Sequence, residues 1–157
     1  MTKRMYKVYE KGNTLNTYGG IYMKYLGIAS FIILLTACTN MSIQQVEGTY
    51  TNTKGEVTTA TVKFQGEKIV EVEFDETKNG ESKKKAASSY GMRQASTISK
   101  EWNEQVMFLE KYIQQNGVDK IQTDDEGKAT DIDILTGCTM SIDNFLKALQ
   151  NAQEKIK

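Results

Sequence analysis

Residues 46–77 read VEGTYTNTKGEVTTATVKFQGEKIVEVEFDET, and this stretch sets the architecture. It is rich in valine, threonine and aromatic residues, which pack well on a pleated surface, and Gly48, Gly55 and Gly66 punctuate it. Ala60, Val62 and Phe64 alternate with Thr61 and Lys63, and Val70, Val72 and Phe74 alternate with Glu71 and Glu73. A period of two places one set of side chains on a single face, so two or three antiparallel strands are expected. Gln65-Gly66-Glu67-Lys68 is the turn that joins two of them into a hairpin. Threonine and lysine opposite glutamate on the other face is ordinary solvation.

Downstream, KNGESKKKAASSYGM at 78–92 shifts to charged and small residues, and Lys83 to Lys85 reads as an exposed helix start or loop rather than an anion patch. Trp102, Val106, Leu109 and Ile113 then recur at helical spacing up to Gly117, which predicts a helix over 96–115 with Trp102 in the core. A second apolar stripe, Ile142, Phe145, Leu149, Ala152 and Ile156, predicts a terminal helix. The expected fold class is therefore α+β, a small antiparallel sheet packed against two helices.

The chain has 157 residues, 20 basic and 20 acidic side chains, and neither histidine nor proline. Without histidine, Ser-His-Asp and Cys-His nucleophile pairs, imidazole acid–base chemistry and His-ligated metal sites are excluded. No catalytic or metal-binding residue is expected.

MKYLGIASFIILLTAC at 23–38 has a lysine, a short apolar run and small residues before Cys38, which is a signal-peptide layout. The run is far below the roughly 20 apolar residues of a spanning helix. Leu35-Thr36-Ala37-Cys38 resembles the lipobox of bacterial lipoproteins, which implies diacylglycerol on Cys38 and a lipid anchor at the outer face of the cell membrane. Met23 is the expected start, because Gly19-Gly20 can be encoded by a ribosome-binding sequence. The expected organisation is then leader 1–22, signal peptide 23–37, anchored linker 38–45 and domain 46–157. Removing 1–37 leaves 15 basic against 19 acidic side chains, a net charge of −4 that gives no support to nucleic-acid binding. With Cys38 lipidated, Cys138 has no disulfide partner.

Just before the terminal stripe, DILTGCTMS at 133–141 crowds an acid, hydroxyls, a glycine and a cysteine into nine positions. A structural account is available: Gly137 permits a tight turn, and Thr139 or Ser141 caps the helix. It leaves Asp133 and the repeated hydroxyls unexplained. A helix N-terminus is also a site for anions.

Asp133-Ile134-Leu135-Thr136-Gly137-Cys138-Thr139 resembles the Asp-x-x-[Ser/Thr]-Gly-Ala-Thr flavinylation motif of FMN-binding domains. These include flavin subunits of sodium-pumping quinone reductases and extracellular flavolipoproteins of Gram-positive bacteria. The resemblance implies that a flavin transferase uses FAD to attach FMN, through its phosphate, to Thr139, with Asp133, Thr136 and Gly137 as motif positions, which would place the phosphate at the start of the terminal helix. It departs at Cys138, where the motif has alanine; a small buried cysteine substitutes sterically. EGTYT, the hairpin, YGM and the helix FLKALQNAQEKIK follow in the order seen in such lipoproteins, which extends the resemblance over most of 47–157. Tyr90, Gly91 and Met92 are candidate ring contacts, equally readable as structural. The implied role is a redox carrier, not itself an enzyme, working with membrane NADH or quinone components. Non-covalent FMN binding is the alternative, and IASFIILLTA at 28–37 has the character of the sex pheromones that some of these lipoproteins release.

Overall fold

The computed structural model describes residues 42–157. The expected leader, signal peptide and Cys38 lie outside them. Four strands, β1 (Ile43–Thr51), β2 (Val57–Gln65), β3 (Lys68–Lys78) and β4 (Glu81–Ser82), form one antiparallel sheet in sequence order. The sheet starts at Ile43, three residues ahead of position 46.

The hairpin has the expected turn, with Gly66 at φ +63°, where a side chain would be strained. Its apolar face differs in one position. Lys63 pairs with Glu71 but Phe64 pairs with Ile69, so Val70 is the extra residue of a bulge. That slip buries Ile69 in place of Val70 while Val72 and Phe74 stay in the core.

Two main helices cover the sheet, α2 (Trp102–Asn116) against β3 and α4 (Asp143–Gln153) against β1 and β2. Two short ones precede them in sequence, α1 (Lys83–Ala86) ahead of α2 and α3 (Ile132–Leu135) ahead of α4. Val106, Leu109 and Ile113 of α2, with Phe145, Leu149 and Ala152 of α4, are buried against Val62, Phe64, Val72 and Phe74. Phe145 ties the layers together, its ring 5.2 Å from that of Phe74 and 6.0 Å from that of Trp102. The α+β fold and the core position of Trp102 are as expected from the sequence.

Three local expectations are corrected. The helix predicted over 96–115 begins only at Trp102, because Ser96 Oγ accepts from the Ile98 and Lys100 amides and holds 96–100 as a loop, with Ser99 at φ +53°. A capping box then starts α2: Glu101 caps the first turn, and the Glu104 carboxylate accepts from the Glu101 amide at 2.7 Å. Lys83 is buried rather than exposed, bonded to Glu76 and 3.3 Å from Glu56, under the Tyr90 ring. Burial opposes its charge, but Glu76, Tyr90 and Glu56 outweigh that and hold the ammonium above the usual lysine range. Finally, α4 is capped at Ile142 without any side-chain bond, so neither Thr139 nor Ser141 serves as its cap.

The outer edge of β3 would leave main-chain groups open where β4 ends. Helix α2 closes it: Glu110 accepts from the Phe74 amide at 2.7 Å, and Gln114 donates to the Val72 carbonyl at 3.4 Å. Burial pushes the Glu110 carboxyl up even though Phe74 and Lys84 both favour its charged form. One face of α2 thus builds the core and another completes the sheet. A third holds the segment that carries the motif.

Candidate functional site

The segment 131–139 docks on α2 through residues at positions 105, 108 and 112, a spacing of three and four that lines one helical face. Tyr112 donates to Asp131 at 3.0 Å. Asp131 in turn caps α3 by accepting from the Asp133 amide at 2.8 Å. Phe108 lies flat against Gly137, so closely that a Cβ there would run into the ring. The demand on Gly137 is this close approach rather than a left-handed turn, since it is absent from the positive-φ residues. At the far end, Gln105 Oε1 accepts from the Thr139 amide at 2.9 Å.

Gln105 is the residue that sequence reading missed. It is fully buried, and its Nε2 donates to Ser96 Oγ at 3.1 Å and to the Lys100 carbonyl at 3.2 Å. Those two acceptors fix the amide so that its oxygen faces Thr139. The signal was present in the sequence: a glutamine beside Val106 on an apolar helical stripe must find partners when buried. Met92 joins the same cluster, its sulfur 4.0 Å from Gln105 Nε2 and its amide donating to Glu101 at 2.9 Å.

The other predicted site residues fall out as follows. Thr136 is exposed and donates to the Asp133 carbonyl at 2.7 Å, closing α3 on itself. Asp133 is exposed in the first turn of α3. The Tyr90 ring lies 6.4 Å from that of Trp102, tilted by 59°, with the Lys83 ammonium on its face, and Gly91 is exposed at φ +76°. The geometry therefore brings Met92 to Thr139 through Gln105 and turns Tyr90 toward the Lys83 ion pair. The expectation that a phosphate on Thr139 would sit at the start of the terminal helix also needs revision. Thr139 lies three residues before the Ile142 cap, and its own amide is spent on Gln105.

Cys138 is fully buried, and desolvation pushes its thiol up to about 11 although the Met140 amide and Lys100 act in the opposite direction. A thiol in that state is inert, which fits the packing role expected for it. In the folded chain at pH 8, Cys138 is expected to resist alkylation by iodoacetamide, with peptide mapping to separate it from Cys38. Cys138→Ala should cost about 1 kcal/mol or less and leave flavin content unchanged.

The donor set suits a flavin phosphate. Thr139 Oγ1 has only long contacts, 3.4 Å to Gln105 Oε1 and 3.4 Å to Thr97 Oγ1, so its hydroxyl can be substituted without breaking a strong bond. Thr97 adds an exposed hydroxyl, and Lys100, whose ammonium lies 5.2 Å from the Phe108 ring centroid, adds a positive charge on the same loop. Met92 supplies a polarizable apolar side chain beside them. Thr139, Thr97 and Lys100 would hold the phosphate end and Met92 could border the ring.

Neither the curated proteins nor the solved structures contain a match to this chain. A model of the FMN-binding domain matches residues 52–154, which spans β2 through α4 and includes the whole segment docked on α2. That match covers well over half of the 157 residues, so the chain belongs to the FMN-binding domain family and FMN is its cofactor.

Proposed function

We propose that this protein is a membrane-anchored, extracellular flavoprotein that carries FMN as a phosphoester of Thr139 and works as an electron carrier. The observation that bears most weight is the state of Thr139. Its main chain is clamped by a buried glutamine while its hydroxyl stays loosely held at a partly exposed rim, at the last position of the motif that ends there.

Attachment by a separate flavin transferase balances simply. The Thr139 oxygen forms a bond to the flavin-side phosphorus of FAD, the pyrophosphate bond breaks, AMP leaves, and the hydroxyl proton passes to the transferase. Exposed Asp133 in, and Thr136 at the end of, the short helix that Asp131 and Tyr112 pin to α2 give that enzyme a rigid feature to grip. When bound, FMN supplies reversible electron uptake and release, and the chain supplies attachment, orientation and shielding. On this reading the protein is not an enzyme by itself. It is tethered through diacylglycerol on Cys38, and its partners are membrane NADH or quinone components on one side and extracellular acceptors on the other.

Intact mass of protein co-expressed with a flavin transferase tests this reading. The expected gain is one FMN less one water, retained through denaturing dialysis and absent in Thr139→Ala. Flavin that dialyses away would favour non-covalent binding. A mass gain that survives Thr139→Ala sinks the assignment of the acceptor.

A further inference from the structure

We infer that Lys100 is the cation that receives the FMN phosphate, so that the loop 96–100 and not the start of the terminal helix forms the anion side of the site. The inference rests on Thr139 as the place where the phosphate sits. Its footing is the placement of charge around that hydroxyl.

A phosphodiester keeps one negative charge, and a partly desolvated charge needs a partner. The start of α4 is a poor candidate, because Asp143 occupies its first turn and pairs with Lys147 at 2.7 Å. Two other cations of the neighbouring segments, Arg93 and Lys128, are engaged. Arg93 bonds Glu104 at 2.9 Å, Glu101 at 3.5 Å and the Ser99 carbonyl at 3.1 Å. Lys128, bridged through its main chain to Ser141, holds Glu126 at 2.7 Å.

Lys100 differs. Among the described residues its ammonium is in no ion pair; its charge reaches the Glu104 carboxylate without pairing with it, and its ring contact is the face of Phe108. Phe108 is the ring on which Gly137 rests, two residues from Thr139. The main chains of Lys100 and Thr139 are one side-chain amide apart, bridged by Gln105. The Cys138 thiol senses the Lys100 charge, which agrees with that placement. A cation resting on a partly buried ring is held more weakly than one bonded to a phosphate, so the side chain can turn to the anion without giving up a strong interaction. Thr97, 3.4 Å from the Thr139 hydroxyl, offers a donor from the same loop.

The test compares FMN with riboflavin, which has the same ring and ribityl chain but no phosphate. The full-length apo chain is titrated with each at low ionic strength, following flavin fluorescence. Wild type is expected to prefer FMN by about tenfold. Lys100→Gln should abolish the preference with riboflavin affinity unchanged, and Lys100→Arg should keep it. An unchanged preference in Lys100→Gln, an equal loss of both flavins, or no preference in wild type overturns the inference. The intact mass of Thr139→Ala, measured separately, reports on attachment alone. Should flavin remain on that variant, the acceptor assignment fails while the FMN-to-riboflavin ratio still decides on Lys100.

Discussion

Gly48→Ala is expected to destabilise the domain by about 3 kcal/mol or more, the largest stability loss anticipated for a one-carbon change in this chain. Gly48 lies buried in β1 opposite Ala60, and α4 crosses it with Ala148 and Ala152 facing the strand. A Cβ at Gly48 would overlap the Ala148 carbonyl oxygen and the Ala152 amide nitrogen, and would lie 2.9 Å from the Ala152 Cα. All three are main-chain atoms, so no rotamer change relieves the overlap and the helix must lift. Lifting it strains two bonds that hold α4 and the turn after it to β1, Asn151 to the Thr49 carbonyl at 2.8 Å and Lys155 to the Glu47 carbonyl at 2.7 Å. For a domain of this size the melting temperature should fall by about 10–20 °C, read by circular dichroism. A fall of only a few degrees would mean that α4 does not pack on β1 at this distance.

That crossing also marks how far sequence reading reached. Alternation at Ala60, Val62 and Phe64 and the stripe from Phe145 to Ala152 identified which faces are apolar, since burial imposes those periods. Neither period states how close two faces come, and Gly48 was legible only as turn punctuation. Within β3 the same limit applies: a strict alternation assigns Val70 to the core, and the bulge that substitutes Ile69 leaves no mark on composition. The helix start failed for a different reason. Ser96 satisfies amides of its own loop, and that local competition beats helix propensity until Glu101 and Glu104 form a cap.

At the site, the segment from Asp133 to Thr139 could be singled out because its residues are consecutive in the sequence. What holds it is not linear. Gln105, Phe108 and Tyr112 reach it from α2, and the loop with Thr97 and Lys100 reaches it from the other side of the same network. Of the candidates outside the motif, Met92 shares that network and Tyr90 packs elsewhere, a division that residue types alone could not supply.

The second large effect is expected for Gln105→Leu. Leucine fills similar space but removes one acceptor and one donor group, leaving the Thr139 amide and the Lys100 carbonyl without their buried partner. Two unsatisfied main-chain groups cost about 2–4 kcal/mol together, and Ser96 loses a donor as well. The consequence for function is separable from the loss of stability. With the clamp gone, Thr139 is free to move relative to α2, and covalent flavin loading by a transferase should fall about tenfold even well below the melting temperature, because orientation of the attacking hydroxyl is lost. Gln105→Glu distinguishes clamp from packing. It keeps an oxygen for the Thr139 amide while losing the donor to Ser96 and Lys100, so it should be destabilised to a similar degree yet load flavin faster than Gln105→Leu. Loading measured by in-gel flavin fluorescence against time, at a temperature where both variants are folded, reads the difference. Equal rates for wild type and Gln105→Leu would show that the segment 131–139 is held ready by Phe108 and Tyr112 alone, and that the buried amide serves only the loop that it bridges.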